Sequence, residues 1–367
     1  AIIGNGISGI TAARFIRKLS NNKISVISSE SRHFFSRTAL MYLYMGHMRY
    51  QDIKPYADDF WEKNNIDLLF DHVNSINFSS KELMLRNGGS LKYDKLILAT
   101  GSKPRLLDIE GIDLEGIQGL YSIKDLDLME TNTSNITQAV IAGGGLIGIE
   151  MAEMLHSRNI PVHFLVREKL FWNNVLPDGQ AEIISNHIRK QGIHLHLQTE
   201  LSSLKGENHR VREAITNKSE KIACDFAGIT IGVQPNIEFL ADSGIDLNKG
   251  VLVNEYFETN IPDVYAIGDC AEFKKPLPGR KAIEQVWYTG RIMGETLAFN
   301  ICQDRIPYSP GPWFNSAKFF DIEYQVYGDV RNQTSEHRFH FEWHDQQKES
   351  SLVIEVEKES GQVSGIS

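Results

Sequence analysis

The sequence predicts an α/β fold: two three-layer domains of parallel strands and helices, followed by a smaller C-terminal α+β domain. Three observations predict it. A strand, a glycine-rich turn and a helix occur twice, as AIIGNGISGITAARFI and as AVIAGGGLIGIEMAEML. Each copy leads into a second apolar run, Lys23–Ser28 and Pro161–Val166. Beyond Gly311 the chain becomes rich in aromatic residues of alternating polarity, which is typical of antiparallel strands.

The two copies are β-α-β units of about 30 residues each. Their strands are apolar on consecutive positions, which favours parallel strands covered by helices on both faces. The same reasoning predicts buried strands at Tyr93–Thr100, Asp225–Ile231 and Val264–Ile267, and the periodicity of Ala181–Lys190 predicts an amphipathic helix.

The composition excludes several classes of function. The chain of 367 residues carries a net charge of −9 without a basic block, which argues against nucleic-acid binding. No apolar run approaches the roughly 18 residues of a membrane helix. The three cysteines are far apart in sequence, so no local redox dithiol or zinc knuckle is expected. Sparse cysteine and the absence of a visible signal peptide favour a cytoplasmic protein.

The glycine spacing of the first copy predicts a dinucleotide site. Gly4, Gly6 and Gly9 have the G-x-G-x-x-G spacing that allows a tight turn, close approach of a pyrophosphate, and close packing of helix on strand. The helix N-terminus then offers free N–H groups to the phosphates. Glu30 lies 21 residues after Gly9, where an acidic residue holds a ribose hydroxyl. The alternative for Glu30 is a solvated charge at a strand end.

The second copy repeats the spacing with Gly143, Gly145 and Gly148. Its second strand ends at Val166 and is followed by Arg167, a residue type that can accept a 2′-phosphate. On this feature the second site is expected to favour NADPH over NADH, although Glu168 follows directly.

Five motifs in order then identify a resemblance to the pyridine nucleotide–disulfide oxidoreductase superfamily: GNGISG, LATGSKPR, GGGLIGIE, IGVQPN and TNIPDVYAIGDCAE. The chain most resembles the branch of rubredoxin reductases, ferredoxin reductases and the flavin part of nitrite reductases. The likeness covers roughly 300 residues and becomes weaker after Gly328. It implies two Rossmann-like domains, FAD as resident cofactor and NADH or NADPH as electron donor.

The resemblance also implies roles for individual residues. FAD would be held by Gly4, Gly6, Gly9, Glu30, Arg37, Val73, Thr100, Gly101, Gly268 and Asp269, with Glu284, Gln285 and Trp287 beside the flavin ring. The nicotinamide nucleotide would be held by Gly143, Gly145, Gly148, Arg167 and Gly232. Gly144, Ile147 and Glu150 would border the nicotinamide pocket, and Glu150 and Tyr42 are the candidate catalytic residues.

The expected domains follow from the motifs. Residues 1–105 and 236–306 would form a discontinuous FAD-binding domain, and residues 106–235 the NAD(P)-binding domain. Residues 307–367 would form an incomplete C-terminal domain like the interface domain of the family, and the resemblance leaves room for a homodimer.

Two departures from the family narrow the chemistry. The stretch FSRTALMYLYMG contains no cysteine where disulfide reductases place theirs, so thiolate chemistry is not available there. Tyr42 stands where ferredoxin-reductase relatives often have a lysine. The histidines, including His194, His196, His337, His340 and His344, lack the partners of a zinc site, and no metal is expected.

The sequence therefore predicts an FAD-dependent NAD(P)H oxidoreductase in which hydride passes from nicotinamide to flavin. The expected acceptor is a small iron redox protein of the rubredoxin or ferredoxin kind, or a nitrite-reductase-type centre. Three alternatives stay open: an NAD(P)H oxidase or other small-molecule acceptor, a flavin-based redox sensor without turnover, and a flavin oxidase with a degenerate second site.

Overall fold

The computed structural model describes residues 1–330, 336–345 and 347–367. Its helices are α1 (Ile7–Leu19), α2 (Leu40–Tyr44), α3 (Phe60–Lys63), α4 (Ile123–Asn132), α5 (Leu146–Ser157), α6 (Asp178–Lys190) and α7 (Trp287–Cys302). Its strands are β1 (Ile2–Ile3), β2 (Ile24–Ser28), β3 (Ile66–Phe70), β4 (Val73–Asn77), β5 (Glu82–Leu85), β6 (Ser90–Lys92), β7 (Leu96–Leu98), β8 (Ser102–Pro104), β9 (Ile117–Gln118), β10 (Ala139–Ala142), β11 (Val162–Val166), β12 (His194–Leu197), β13 (Leu201–Glu207), β14 (Arg210–Thr216), β15 (Lys221–Ala223), β16 (Phe226–Ile229), β17 (Val233–Pro235), β18 (Val251–Val253), β19 (Val264–Ala266), β20 (Ala271–Phe273), β21 (Phe314–Phe319), β22 (Ile322–Gly328), β23 (Arg338–Asp345), β24 (Ser350–Glu357) and β25 (Val363–Ile366).

The chain divides into two compact units. The first contains residues 1–40, 48–103 and 233–310, and the second contains residues 41–47, 104–232 and 311–367. The chain therefore leaves the first unit after Lys103 and returns to it at Val233, close to the domain boundaries after residues 105 and 235 that the motifs suggest. Residues 307–367, expected as a third domain, are grouped mostly with the second unit.

The first unit is built on a parallel sheet of five strands in the order β19-β7-β1-β2-β3. Its central strands are short and apolar, and Ile2, Leu96 and Val264 are buried because helices cover the sheet. An antiparallel sheet of β4, β5 and β6 completes this unit together with the parallel pair β18 and β20.

Helices α1 and α7 of the first unit pack at unusually close range. A Cβ atom built on Gly290 would lie 2.5 Å from Ser8 Oγ, and one built on Gly294 would lie 2.5 Å from the Ser8 carbonyl oxygen. Only glycine therefore fits at these two positions of α7. The close packing fixes the N-terminal turn of α1, which follows the first glycine motif.

The second unit repeats the design with a parallel sheet in the order β12-β11-β10-β16-β9. A three-stranded antiparallel sheet of β13, β14 and β15 follows β12 in the chain. The aromatic C-terminal segment forms an antiparallel sheet in the order β21-β22-β25-β24-β23. The prediction of an α/β protein with parallel sheets and a C-terminal antiparallel sheet is confirmed.

No helix of the described residues is both long and apolar enough to cross a membrane.

Candidate functional site

The predicted FAD residues of the first unit follow neighbouring strands of one parallel sheet. Gly4 follows β1, Glu30 follows β2, Thr100 follows β7 and Asp269 follows β19. Because these strands are parallel and adjacent, their carboxyl ends lie along the same edge of the sheet. That edge is where open α/β sheets bind their ligands.

Each of the three glycines of the first turn is explained by a different structural feature. Gly4 has φ +110°, and a Cβ built on it would lie 2.0 Å from the carbonyl oxygen of Ala99. A Cβ on Gly9 would lie 2.1 Å from the Gly4 oxygen. A Cβ on Gly6 would meet no atom within 4 Å, so this glycine leaves open space in front of the turn. No side chain caps the α1 N-terminus at Gly6, so its N–H groups face that space.

Glu30 and Arg37 form a bidentate ion pair. Arg37 Nη1 donates to Glu30 Oε1 at 2.9 Å, and Nη2 donates to Oε2 at 2.6 Å. The structure thus brings together an acid predicted to hold ribose and an arginine predicted to lie beside the flavin nucleotide. Both side chains are partly exposed, so a ligand can reach them.

Asp269 and Gln285 are joined through Ser102, a residue that the sequence did not single out. Ser102 Oγ donates to Asp269 Oδ2 at 3.1 Å and accepts from Gln285 Nε2 at 2.7 Å. Burial raises the pKa of Asp269, whereas the Ser102 hydrogen bond and the charge of Arg37 lower it. Gly268 fixes the turn before Asp269, because its φ is +72° and a Cβ there would lie 2.3 Å from Ser8 Oγ.

The remaining predicted residues of the first unit have these places. Val73 is buried at the start of β4, and Thr100 Oγ1 donates to the Asn236 carbonyl at 2.8 Å. Gly101 has φ +69°. Trp287 is 44% exposed as the first residue of α7. Glu284 is buried, with its carboxylate paired to Arg280 and hydrogen-bonded by the Tyr308 hydroxyl at 2.8 Å.

The second unit repeats the arrangement around its own glycine turn. Gly143 has φ +123°, and its Cβ would lie 2.4 Å from the Thr230 carbonyl oxygen. A Cβ on Gly148 would lie 2.1 Å from the Gly143 oxygen, whereas one on Gly145 would have only a distant neighbour at 4.0 Å. Thr230 closes the turn from the adjacent strand, since its Oγ1 donates to the Gly143 carbonyl at 3.0 Å. The middle glycine again borders open space.

The acidic residue beside the second glycine turn is Glu168. It lies two residues beyond the end of β11, as Glu30 lies two residues beyond the end of β2. A Cβ built on Gly144 would lie 3.5 Å from Glu168 Oε2, which places this carboxylate beside the glycine turn. Arg167 is 72% exposed and its Nη2 donates to Glu168 Oε1 at 3.1 Å. Arg167, predicted from the sequence to decide the nucleotide preference, thus lies at the surface, whereas Glu168 lies beside the turn.

Helix α5 carries two acidic residues one turn apart, Glu150 and Glu153. Burial and the negative charge of Glu153 raise the pKa of Glu150 to about 7. Burial also raises the pKa of Glu153, although its Oε2 accepts from the Phe320 backbone N–H at 3.1 Å. Glu150 can therefore carry a proton near neutral pH.

Tyr42 and Gly232 both belong to the second unit. The Tyr42 ring stacks on His47 with centroids 6.3 Å apart. Its segment is anchored by Tyr44, which is buried, bonds Thr133 Oγ1 at 2.6 Å and lies under the Arg158 guanidinium. Gly232 follows β16 with φ +109°, and a Cβ there would meet no atom within 4 Å.

The histidines do not converge on a metal site within residues 1–330, 336–345 and 347–367. His163, His194 and His196 stack on one another across β11 and β12, with His163 Nδ1 and His196 Nε2 2.9 Å apart. Near the C-terminus, His340 and His344 both contact the Glu342 carboxylate.

Comparison with known proteins agrees with this geometry. The family model of pyridine nucleotide-disulphide oxidoreductases matches residues 1–293. A rubredoxin–NAD⁺ reductase of Pseudomonas putida is 27% identical over 85% of this chain and 82% of its own length. An NADH oxidase of Methanocaldococcus jannaschii is 30% identical over 88% of this chain and 74% of its own length.

A solved ferredoxin reductase from Rhodopseudomonas palustris has the same fold, with a TM-score of 0.91 at 22% identity, covering 100% of this chain and 89% of that one. Some relatives are longer: the chain spans 34% of the NAD(P)H nitrite reductase of Bacillus subtilis and 38% of the electron transfer subunit of its assimilatory nitrate reductase. On the family match over residues 1–293, the chain belongs to the pyridine nucleotide–disulphide oxidoreductases.

Proposed function

We propose that the first unit binds FAD, that residues 104–232 bind NADH, and that the electrons pass on to a small iron redox protein. The observation that carries this proposal is the doubled arrangement at the two parallel sheets. In each unit a glycine turn with an open middle glycine follows the central strand, and an acid follows the next strand. Two such sites in one chain suit one resident and one exchanging dinucleotide.

The residues of the first unit fit FAD. The open space at Gly6 and the uncapped N-terminus of α1 suit a pyrophosphate. Glu30 offers carboxylate oxygens for ribose hydroxyls, and Asp269 would accept a hydroxyl of the ribityl chain. When bound, FAD supplies the capacity to accept hydride and release electrons, while the protein binds, orients and excludes water.

The residues of the second unit favour NADH. A carboxylate beside the glycine turn accepts hydrogen bonds from both ribose hydroxyls, and it repels a 2′-phosphate. Glu168 has this position, and Arg167 is paired to it at the surface. We infer that Glu168 outweighs Arg167, which reverses the preference for NADPH that Arg167 suggests in the sequence.

Glu150 is proposed to hold a proton at the nicotinamide pocket. Its raised pKa allows a protonated carboxyl group at neutral pH, which can donate a hydrogen bond as well as accept one. Tyr42, in the same unit, has a phenolic hydroxyl where ferredoxin-reductase relatives often have a lysine. Direct hydride transfer between the two cofactors requires no catalytic base.

Two observations support an iron protein as the electron acceptor: the chain has no cysteine where disulfide reductases place theirs, and some relatives are named for iron proteins. None of the three cysteines lies in residues 35–46, the stretch FSRTALMYLYMG, which aligns with the segment that carries the reactive thiol in disulfide reductases. Cys224 and Cys270 are buried, and burial raises the pKa of Cys224 to about 12 and that of Cys270 as well. Neither can act as a thiolate near neutral pH. Relatives named for rubredoxin and for ferredoxin point to an iron protein instead.

Steady-state turnover tests the acceptor. FAD-loaded protein is mixed with NADH and either a rubredoxin or a [2Fe–2S] ferredoxin, and reduction of the iron protein is followed under nitrogen. The proposal expects saturable reduction of at least one of them, much faster than NADH oxidation by oxygen alone. Rapid NADH consumption with oxygen and none with either iron protein would contradict it.

That contradicting result would support the second candidate function, an NADH oxidase. The specific observation that favours it is the 30% identity to the archaeal NADH oxidase over 88% of the chain. In this case oxygen would take the electrons, and the product would be hydrogen peroxide or water.

A further inference from the structure

Ser102 lies at the centre of a hydrogen-bond chain that joins three distant segments of the first unit. It is 4% exposed, at the start of β8. Two of its hydrogen-bond partners are Asp269, in the turn after β19, and Gln285, just before α7. The sequence separations are 167 and 183 residues, so only the fold brings these three side chains together.

The chain has a fixed direction. The Gln285 amide nitrogen can only donate, so Ser102 accepts from it with a lone pair. The hydroxyl proton of Ser102 is then directed to Asp269 Oδ2. A donor held on Oδ2 fixes the rotation of the carboxylate plane, and with it the direction of the second oxygen. Without Ser102, the Asp269 side chain would lose this constraint.

The same contact affects the charge of Asp269. Burial disfavours the carboxylate, and two groups oppose burial: the Ser102 hydroxyl on β8 and the Arg37 guanidinium in the turn before α2. The adjacent Cys270 is a buried neutral thiol whose pKa is raised by burial. Loss of the Ser102 hydroxyl would therefore raise the pKa of Asp269 further, since the hydrogen bond is the larger of the two opposing contributions.

We propose that Ser102 is a positioning residue for flavin binding: aligned by Gln285, it holds Asp269 in the orientation and ionised form that accept a hydroxyl of the ribityl chain. The inference rests on the proposed FAD site of the first unit. Ser102 acts through Asp269, so its effect on flavin binding depends on the Asp269 carboxylate being present.

The experiment measures the dissociation constant for FAD by quenching of flavin fluorescence on flavin-free protein between pH 5 and 8. Ser102→Ala is expected to weaken binding about tenfold or more, as for a buried hydrogen bond to a charged group. Ser102→Thr keeps the hydroxyl and should stay within about threefold of the parent protein. Ser90→Ala is the matched control, because Ser90 also donates to a carboxylate, that of Glu82, but is exposed on β6.

Two further readouts separate positioning from a general loss of structure. The decline of FAD affinity on acidification should begin at a higher pH in Ser102→Ala than in the parent protein, because Asp269 then protonates more readily. In an Asp269→Asn background, Ser102→Ala should have less than about a twofold effect, since the two substitutions remove one coupled unit.

The outcomes distinguish the inference from the proposed function. Equal FAD affinity of Ser102→Ala and the parent protein at every pH, or an undiminished loss in the Asp269→Asn background, would overturn the role of Ser102. If the parent protein does not bind FAD, the proposed function itself fails. If Ser102→Ala does not fold, Gln285→Leu replaces it: a loss of about threefold with the same pH shift supports the inference, and an unchanged affinity and pH profile overturns it.

Discussion

In each glycine turn, the middle glycine borders open space, whereas the glycines before and after it are closely packed. Gly6 has ordinary extended angles, φ −69° and ψ −178°, and open space where a Cβ would be. A Cβ on Gly9, by contrast, would overlap the Gly4 carbonyl oxygen, at 2.1 Å. The glycine at position 6 is therefore explained by the space for the proposed ligand, and the glycine at position 9 is explained by the packing of the turn itself.

Alanine substitutions should separate these two roles. Gly6→Ala should leave the free energy of unfolding of flavin-free protein unchanged or raised by up to about 1 kcal/mol, and it should weaken FAD binding at least about tenfold. Gly9→Ala should lower the unfolding free energy by about 3 kcal/mol, because its Cβ would overlap backbone. Chemical denaturation and flavin fluorescence measure both quantities. Equal FAD affinity of Gly6→Ala and the parent protein would contradict the placement of the pyrophosphate.

Charge-removing substitutions at Glu168 and Arg167 should decide the nucleotide preference. Glu168→Gln is expected to weaken NADH binding by about tenfold and to narrow the discrimination against NADPH, because charged hydrogen bonds to the ribose are lost. Arg167→Gln, at an exposed position, should change NADH affinity less than about twofold. Isothermal titration with each nucleotide provides the comparison. The role predicted for Arg167 from the sequence would be restored by a different result: Arg167→Gln selectively loses NADPH affinity, and Glu168→Gln leaves the affinity for both nucleotides unchanged.

Spacing along the sequence predicts those site residues that follow a strand at a fixed distance. Glu30 was predicted in this way because the glycine motif that it follows is local. Glu168 lies at the same distance from the end of its strand, but the residue directly before it, Arg167, was predicted to decide the nucleotide preference. Ser102 could not be found, because a serine acquires its role only through partners that folding brings from 167 and 183 residues away.

At the scale of elements, α5 should make stability depend on pH through Glu150. A carboxyl group whose pKa is raised from 4.5 to about 7 costs no stability below pH 4.5, and its cost is complete above pH 7. Glu150→Gln should therefore stabilise the flavin-free protein by up to about 3 kcal/mol at pH 8 and leave it unchanged at pH 4.5. Denaturation at both pH values tests this, with the exposed Glu182→Gln as control. A pH-independent effect would contradict the burial of a titrating Glu150.

His163, on β11 of the second parallel sheet, should make the stability of the protein depend on pH in the opposite sense. Burial and the neighbouring His194 and His196 lower the pKa of His163 from 6.5 to about 4. The cost of protonation is absent above pH 6.5 and grows as the pH falls towards 4. His163→Asn should thus lose less stability than the parent protein between pH 7 and 4.5. Thermal unfolding at both pH values tests this, with the exposed His209→Asn as control, and an equal loss in His163→Asn and the parent protein would contradict it.

Hydrophobic periodicity predicts the core elements better than their ends. The helix expected at Ala181–Lys190 begins earlier, at Asp178, because Pro177 precedes the first turn. The strand expected at Tyr93–Thr100 is shorter, Leu96–Leu98, because the chain bends at Asp94 and Lys95 before it and leaves the sheet after Leu98. The three-stranded sheet of β13, β14 and β15 was not predicted, because its strands alternate weakly and contain many charged residues.

At the scale of the whole molecule, the sequence predicts the order of the nucleotide motifs, the discontinuity of the first unit and the antiparallel C-terminal sheet. It does not predict that residues 41–47 are grouped with the second unit. That grouping depends on Tyr44, whose ring lies 3.4 Å from the Arg158 guanidinium and whose hydroxyl bonds Thr133. These contacts are long-range, and no local pattern marks Tyr44 among its aromatic neighbours.

The central claim is that one chain holds FAD and receives hydride from NADH. The visible spectrum of FAD-loaded protein under nitrogen, before and after one equivalent of NADH, tests it most directly. We expect a two-band flavin spectrum that bleaches rapidly with NADH and more slowly with NADPH. A bound flavin that neither nucleotide bleaches, or a protein that retains no flavin after incubation with FAD, would contradict it.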